Sequence, residues 1–435
     1  MKDIDHTRRD GPQIASKATE KDSESGVGRR GFLGIAGMTA ALGVTIPFAR
    51  HIPDGLVPAA WAQTAEDAAA VLAELGKNPG LSVIGDRPFV AETPEHLLDD
   101  DTTPIEKFFV RQNGIPPEMH DDPDSWELTI EGEVDTPLTL TLGELKERFE
   151  NVTYRMVLEC GGNGRSFFDP PARGNQWTNG GAGCAEWTGV RLKDVLEAAG
   201  IGANAIYTAH YGADMHLSGD PDREALSRGM RMEKALEEHS LIAWGMNGED
   251  LPLTHGGPVR LIIPGWPGSL SHKWIQRIVL RDVEHDGQGM TGTSYRVPET
   301  PMIPGSEPDG VNFLILESMP VRSIISSPEN GTRYEAGTRS VSLRGAAWGG
   351  DPAIVAVHVS TDFGATWQEV DLQEPRNRYD WRRWTAEVEL PSDGYYEVWV
   401  RATDENGVSQ PHIAGNWNPQ GYGSNPMHRV AILVA

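Results

Sequence analysis

Residues 157–165 read Val-Leu-Glu-Cys-Gly-Gly-Asn-Gly-Arg, and this stretch decides how the rest of the chain is interpreted. The run from Thr153 to Leu158 is typical of a strand, and Cys160 follows it at the start of a turn with three glycines and an asparagine. We expect a thiolate exposed at the end of the strand, among backbone N–H groups, with Arg165 nearby. A soft sulfur ligand beside a cation indicates a metal site that handles an anion.

Other interpretations of the cysteines stay open. The chain has one further cysteine, Cys184, and two cysteines in an exported protein commonly form a disulfide, here one that would close a surface loop. A thiol hydrolase built on Cys160 and His255 would need an orienting partner for the histidine that the sequence does not reveal. A zinc site formed by His210, His216 and Cys184 has no established ligand spacing.

Length and charge limit the class of protein. A chain of 435 residues is long enough for two or three domains, each with its own core. The net charge of −25 argues against a nucleic-acid partner, because no basic stripe is present to neutralise phosphates. Beyond the N-terminus no run of about 20 apolar residues occurs, so we expect no stable membrane insertion.

The first 62 residues are predicted to be a sorting signal. Arg29-Arg-Gly-Phe-Leu33 precedes an apolar run over residues 34–48, and a small-residue cleavage pattern follows at Ala60-Trp-Ala62. The paired arginines resemble a twin-arginine (Tat) signal, which exports proteins that are already folded. This predicts a periplasmic protein whose cofactor is inserted in the cytoplasm.

In the remaining chain the pattern of apolar and polar residues changes at two positions, which divides it into three segments. Residues 63–103 are predicted to be an N-terminal segment and linker, with a helix over 65–77 and a solvated acidic cluster at 98–104. Residues 104–316 mix strand-like and helix-like runs, which predicts a mixed α/β domain. Residues 317–435 carry short alternating strands between turn clusters, which predicts an immunoglobulin-like β sandwich without the paired cysteines of antibody domains. The fold class is therefore α+β. The predicted helices are 142–149, 192–199 and 232–238, and the strands quoted for the first domain are 126–130, 153–158, 259–263 and 274–279.

Six separated motifs then identify a family. They are Phe109-Val-Arg-Gln-Asn113, the run 158–165, Trp177 with the run 180–192, Met246-Asn-Gly248, the run 255–265, and Ser271-His-Lys-Trp274. In this order they resemble the sulfite oxidase family of molybdenum enzymes, over residues 104 to 435. The resemblance implies a molybdopterin-binding catalytic domain over 104–316, followed by a sandwich domain that mediates homodimerisation.

The resemblance also implies roles for individual residues. Cys160 would be the protein ligand of molybdenum. The predicted cofactor-binding residues are Phe109, Arg111, Asn113, Cys160, Asp214, His255, Arg260, Ser271, His272 and Lys273. The predicted substrate-side residues are Arg111, Arg165, Arg173 and Tyr295. Two positions depart from the family pattern: Asn113 stands where a histidine is usual, and Gln420 stands where animal and plant members carry an arginine.

The implied reaction is oxygen-atom transfer that converts sulfite to sulfate. The sequence holds no Cys-x-x-Cys-His for a covalent haem, so the expected electron acceptor is a separate c-type cytochrome. Alternatives are a sulfane-sulfur dehydrogenase subunit acting on carrier-bound sulfur, a methionine sulfoxide reductase, which should lack the sandwich domain, and a non-enzymatic binding or scaffold protein built on the immunoglobulin-like module.

Overall fold

The computed structural model describes residues 65–119 and 121–435, so the predicted signal peptide of residues 1–62 lies outside the described residues. This part of the chain contains four α-helices: α1 (Ala65–Glu74), α2 (Leu142–Arg148), α3 (Leu192–Ala199) and α4 (Met232–Ala235). Helix α2 begins with a capping box, because Thr141 and Glu144 each accept a hydrogen bond from the other's backbone N–H. None of the helices in residues 65–119 and 121–435 is long and apolar enough to cross a membrane.

Fifteen strands precede the sandwich: β1 (Ser82–Asp86), β2 (Phe89–Glu92), β3 (Val110–Arg111), β4 (Glu127–Gly132), β5 (Leu138–Thr141), β6 (Asn151–Glu159), β7 (Ala182–Arg191), β8 (Tyr207–Gly212), β9 (Ser227–Arg228), β10 (Leu241–Met246), β11 (Glu249–Asp250), β12 (Arg260–Ile262), β13 (Ile275–Arg281), β14 (Arg296–Pro298) and β15 (Phe313–Ile315). They form a small sheet β1-β2-β3, a ribbon β14-β15 and two five-stranded sheets. One large sheet has the order β11-β10-β7-β6 with β12 also paired to β10, and the other has the order β5-β4-β13-β8-β9.

One apolar core joins the two five-stranded sheets. It takes Ile130 and Ile278 from one sheet, Val190 and Ile242 from the other, and leucines from α2 and α3, all of them buried. Burial of such side chains is the main stabilising contribution to a domain of this kind. With the sheets fixed in this way, the segments at their ends are held in place and can form a site.

The C-terminal region consists of nine strands: β16 (Arg322–Ser327), β17 (Thr332–Tyr334), β18 (Ser340–Trp348), β19 (Ile354–Ser360), β20 (Gln368–Glu369), β21 (Asp371–Leu372), β22 (Arg382–Glu389), β23 (Gly394–Asp404) and β24 (His428–Val434). They form two sheets, β16-β18-β22-β21 and β17-β24-β23-β19-β20. Along β18 and β22 buried and exposed residues alternate, as expected of strands with one face on a core. The predicted fold class, a mixed α/β domain followed by a β sandwich, is confirmed.

Two details differ from the predictions. The helices predicted over 65–77, 142–149 and 232–238 end earlier, at Glu74, Arg148 and Ala235. The acidic cluster at 98–104 is not simply solvated, so that expectation is wrong. Asp99 accepts hydrogen bonds from Arg344 and Arg383, and the carbonyl of Asp101 accepts one from the indole of Trp381. The cluster is therefore held against the sandwich, because arginines of β18 and β22 offer its carboxylate charge-assisted partners.

Candidate active site

A cleft of about 680 Å³, counting its open mouth, lies where segments from several strands of the catalytic region converge. It is bordered by the residues on both sides of β3, the end of β6, the segment after β8, and the stretch from just before β12 to β13. The structure brings together eleven of the predicted site residues in its lining, namely Phe109, Arg111, Asn113, Cys160, Asp214, His255, Arg260, Ser271, His272, Lys273 and Tyr295.

Cys160 lies directly after β6, as the sequence predicts. Its backbone N–H donates to the carbonyl of Gly181 at 2.8 Å, and its carbonyl accepts from the N–H of Asn163 at 2.9 Å. The thiol is free and half-buried. Cys184 is free as well; it is fully buried, with its Sγ 3.4 Å from a carboxylate oxygen of Asp380, and burial raises the pKa of its thiol well above the usual value. The disulfide alternative is therefore wrong.

The residue before Cys160 is anchored to the sandwich. The Nε of Arg322 donates to Glu159 at 2.8 Å, and the indole of Trp348 donates to the other carboxylate oxygen at 2.8 Å. The side-chain amide of Asn163 adds a third hydrogen bond at 2.9 Å. Arg322 and Glu159 are both buried. This buried ion pair, together with the two further hydrogen bonds to Glu159, holds the turn at Cys160 in position from the side of the sandwich.

Cations dominate one side of the cleft. Arg260 is buried and donates to the carbonyls of His255 and Ser271, both at 2.6 Å, and burial lowers its pKa to about 9. Lys273 donates to the carbonyl of Thr254 at 2.6 Å; burial, and then the charge of Arg260, lower its pKa well below the usual value. Bringing an anion into the cleft would reverse both shifts, because the charged forms would then be stabilised. This side of the cleft is suited to a polyanionic ligand.

One lysine that the sequence analysis missed, Lys77, contacts the cleft residue His255 from outside the lining. The Nζ of Lys77 donates to the carbonyls of Ile105 at 2.5 Å and Phe108 at 3.1 Å, and it contacts the Nε2 of His255. An ammonium group has three donors and no acceptor, so in the charged state of Lys77 the third partner, Nε2, must be unprotonated. Burial, and then the charge of Lys77, lower the pKa of His255 well below the usual value, so its ring is neutral. Burial also lowers the pKa of Lys77 to about 7, so the His255 proton is assigned to Nδ1 for the state below that pH, in which Lys77 is charged. Lys77 lies outside every motif, so no sequence signal pointed to it.

Tyr295 forms the opposite wall with an unusual backbone. Its φ of 47° lies in the left-handed region, which is uncommon for residues other than glycine. Its ring stacks on Tyr422, with centroids 4.9 Å apart, and the guanidinium of Arg228 lies 4.3 Å from its centroid. Arg228 is a second buried residue that the motifs did not indicate, and no periodicity of apolar residues in its segment predicts its burial.

Two predicted substrate-side residues are not brought into the cleft. Arg165 is buried, but its Nε donates to the carbonyl of Gln420 at 2.7 Å and its Nη1 donates to the carbonyl of Asn175 at 2.8 Å. Arg173 is exposed, and its backbone N–H bonds the carbonyl of Pro419. The side chain of Gln420 also points away from the lining, to the hydroxyl of Thr293 at 3.2 Å. That Arg165 and Arg173 contact a substrate stays a prediction, and the positions of their side chains do not support it.

The zinc alternative finds no support in the described ranges. His210 is buried and bonds the hydroxyl of Thr208 at 2.8 Å, while His216 bonds Ser218 at 2.8 Å. Neither is gathered with Cys184, and residues 65–119 and 121–435 contain no group of three or more His, Cys, Asp or Glu side chains that could hold a metal ion.

Several buried polar atoms that belong to the lining lack partners within the described chain. They are the Nη1 of Arg111, the Oγ of Ser269 and the Nδ1 of His272. Buried donors are almost always satisfied in native proteins, because an unmade hydrogen bond costs about 1–3 kcal/mol. Three orphaned groups in one cleft, beside Arg260 and Lys273, are the donor set expected for a ligand with anionic and ring-nitrogen acceptors.

Comparisons with known proteins agree with this geometry. Residues 113–289 match the family model "Oxidoreductase molybdopterin binding domain", and residues 314–435 match "Mo-co oxidoreductase dimerisation domain". Mitochondrial sulfite oxidase of Macaca fascicularis is 33% identical over 376 residues, which cover 82% of this chain and 67% of that protein. Sulfite oxidase of Gallus gallus is 31% identical over 365 residues, which cover 81% and 78%. The chain belongs to the sulfite oxidase family.

A solved structure shows the same fold for this member of the sulfite oxidase family. The sulfane dehydrogenase SoxCD from Paracoccus pantotrophus aligns with a TM-score of 0.67 over 95% of this chain and 96% of that chain, at 23% identity. In length the chain spans about two thirds of the mammalian sulfite oxidases that it matches, 66% for the protein of Rattus norvegicus.

Membership of the sulfite oxidase family assigns a molybdenum–molybdopterin cofactor to the cleft. The residues present fit it: Cys160 is the one thiol in the lining, and a thiolate is a suitable ligand for a soft metal site. Arg260, Lys273, Ser269 and His272 would hold the phosphates and the pterin ring. When bound, the cofactor supplies a centre that exchanges an oxygen atom and electrons with a substrate.

Proposed function

We propose that this protein oxidises sulfite to sulfate in the periplasm and passes the electrons to a separate c-type cytochrome. In this reaction sulfite and water give sulfate, two protons and two electrons, which the cytochrome takes up one at a time. The observation that carries the proposal is the cleft itself, which places the free thiol of Cys160 together with Arg111 and Tyr295. The identity of 31–33% with sulfite oxidases supports it.

The side chains around Cys160 suit a small oxyanion. The Nη1 of Arg111 has no partner in the described chain, so this guanidinium can donate a hydrogen bond to an oxyanion in the cleft. The hydroxyl of Tyr295 can donate a hydrogen bond to a substrate oxygen or accept a proton from water. Fixed donors in a partly dry cleft stabilise negative charge more strongly than the same donors do in water.

The remaining parts of the proposal rest on the sequence. The twin arginines at 29 and 30 support export to the periplasm, and the absence of a Cys-x-x-Cys-His stretch supports an external haem protein as acceptor. Homodimerisation is supported by the family model that matches residues 314–435, which is named a dimerisation domain. Analytical ultracentrifugation of the purified chain tests this last part, and a monomer at micromolar concentration contradicts it.

Metal content and turnover test the function together. The full chain is purified from a host that makes the cofactor, its molybdenum is measured, and sulfite is supplied with either ferricyanide or cytochrome c. We expect one molybdenum per chain and sulfite-dependent reduction of both acceptors. A protein without molybdenum would favour the scaffold alternative. A molybdenum protein that reduces cytochrome c with carrier-bound sulfane sulfur, and not with sulfite, would favour the sulfane dehydrogenase alternative.

A further inference from the structure

Arg228 is a buried arginine without a carboxylate partner. It lies in β9 with no exposed surface, and its Nη1 donates to the carbonyl of Gly289 at 2.6 Å and contacts the sulfur of Met290 at 3.0 Å. Its Nε and Nη2 have no hydrogen-bond partner among the described residues, and none of its described contacts is with an Asp or Glu. Burying a guanidinium without a counter-charge is costly, so other contacts must offset that cost.

The neighbours of Arg228 supply no negative charge either. His210 lies directly opposite it in the β8–β9 pair, and burial lowers the pKa of this histidine well below the usual value, which keeps the ring neutral. His272 is likewise neutral, with its pKa lowered to about 3 by burial. Burial lowers the pKa of Arg228 itself to about 10, so the guanidinium is still charged at neutral pH.

Besides the carbonyl of Gly289 and the sulfur of Met290, the face of an aromatic ring offers the Arg228 guanidinium a negative potential. The guanidinium lies 4.3 Å from the centroid of the Tyr295 ring, well inside the range of a cation–π contact. The same ring stacks on Tyr422, and the guanidinium of Arg165 lies 5.2 Å from the centroid of Tyr422. Contacts therefore run in sequence from Arg228 through Tyr295 and Tyr422 to Arg165.

In this series only Tyr295 lines the cleft. Both arginines are fixed by backbone carbonyls, Arg228 by Gly289 and Arg165 by Gln420 and Asn175. The φ of 47° at Tyr295 is disfavoured for a tyrosine, so surrounding contacts must hold this backbone conformation. Arg228 and Tyr422 contact the Tyr295 ring directly, and Arg165 contacts Tyr422, all without lining the cleft.

We propose that Arg228 is a positioning residue, which holds the ring of Tyr295 so that its hydroxyl faces the substrate in the cleft. This inference rests on the proposed function for its kinetic consequence. It requires no contact between Arg228 and the substrate, and it accounts for an arginine that is buried with neither a carboxylate nor a full set of hydrogen bonds.

Kinetics of single and double variants test the proposal. Arg228→Met should lower kcat/KM for sulfite about tenfold, the scale of a desolvated cation–π contact, and Tyr295→Phe should lower it at least as much. Arg228→Lys keeps a cation and should restore most of the activity. If Arg228 acts through the Tyr295 hydroxyl, the double variant should be no worse than Tyr295→Phe alone. Losses that multiply, or an unaffected Arg228→Met, would overturn the proposal.

A matched control and a second readout separate this test from the proposed function. Arg277 lies 4.0 Å from the ring centroid of Tyr211 and does not line the cleft, so Arg277→Met removes a cation–π contact of similar distance, here an exposed one with an ion pair to Glu131, and should leave kcat/KM unchanged. Crystal structures of cofactor-free wild type and Arg228→Met should show the Tyr295 ring fixed in the first and displaced in the second. An undisplaced ring overturns the proposal even if sulfite is not the substrate, whereas wild type that holds molybdenum and ignores sulfite refutes only the proposed function.

Discussion

The carboxylate of Glu159 and the guanidinium of Arg322 form an ion pair of 2.8 Å whose members are 3% and 0% exposed. Glu159 is the last residue of β6 and Arg322 is the first residue of β16, so the pair joins the catalytic region to the sandwich one position before Cys160. The second domain of this chain therefore supports the position of Cys160 directly.

Removing one member of this pair should be strongly destabilising. Arg322→Met leaves the Glu159 carboxylate buried without its cation, and such a change costs about 3–5 kcal/mol of unfolding free energy. Urea unfolding of the full chain measures it. The control is Arg339→Met, which breaks an ion pair with Asp393 whose members are 46% and 45% exposed and should cost at most about 1 kcal/mol. Equal losses in the two variants would contradict the role of burial.

The two cysteines should respond differently to the same substitution. Cys160→Ser should fold and lose molybdenum and turnover, because a neutral hydroxyl replaces a thiolate ligand poorly. Cys184→Ser should keep its molybdenum, because Cys184 is buried away from the cleft and a serine hydroxyl can still donate to Asp380. Metal analysis and melting temperatures of both variants decide the matter. If the two lose metal alike, Cys160 is not the ligand.

Substitutions of Arg111 and Arg165 should have different effects, although the sequence predicted that both residues contact the substrate. Arg111→Met removes a cleft donor that has a free Nη1 and should weaken sulfite binding by about 2–5 kcal/mol. Arg165→Met breaks hydrogen bonds to the carbonyls of Gln420 and Asn175, so it should lower the melting temperature and change KM less. A larger KM change in Arg165→Met would return that residue to the substrate side.

Lys77 should control the proton position on His255. Burial lowers the pKa of Lys77 to about 7, so below that pH the charged lysine occupies Nε2 of His255 and the imidazole should carry its proton on Nδ1; at the same pH Lys77→Met should give a mixture of tautomers. Nitrogen-15 NMR of cofactor-free protein labelled at histidine reports this directly. Lys107→Met is the control, because Lys107 pairs with Asp100 and does not contact His255. An unchanged His255 spectrum in Lys77→Met refutes the assignment.

Asp214 should make the cofactor-free protein less stable as the pH rises. Burial raises its pKa from 3.8 to about 6, so between these pH values the folded chain binds more protons at this site than the unfolded chain. The free energy of unfolding from this group therefore falls as the pH rises through about 6. Asp214→Asn should remove that slope in urea unfolding measured from pH 4 to 7. A slope identical to that of wild type would show that Asp214 is not its source.

Local patterns predicted much of the fold. The helix at 192–199 lies where apolar residues recur at helical spacing and a glycine follows, and the structure places it at the same residues. The alternating runs of the sandwich were equally informative, because in each strand the apolar residues of the alternation mark the face that is buried. In the site, motifs that keep family order converge on one cleft, so most of the predicted residues were brought together.

Contacts between distant segments could not be predicted in this way. Lys77 and His255 are separated by 178 positions, and nothing around Lys77 distinguishes it from a surface lysine. The sequence predicted that Arg165 faces the substrate. Its actual partner, the carbonyl of Gln420, lies 255 positions away, and no sequence pattern indicates a contact over that separation. The acidic residues at 99–101 looked solvated for the same reason, since their arginine and tryptophan partners lie in the sandwich.

The segment from Gln420 to Ser424 has a consequence for biosynthesis. Its backbone bonds Arg165, Gly161 and Arg322, and its Tyr422 stacks on Tyr295, so it supports the Cys160 turn and Tyr295 from outside the cleft. These residues leave the ribosome after every residue that lines the cleft. The Cys160 turn and Tyr295 therefore gain these supporting contacts only when synthesis of the chain is nearly complete.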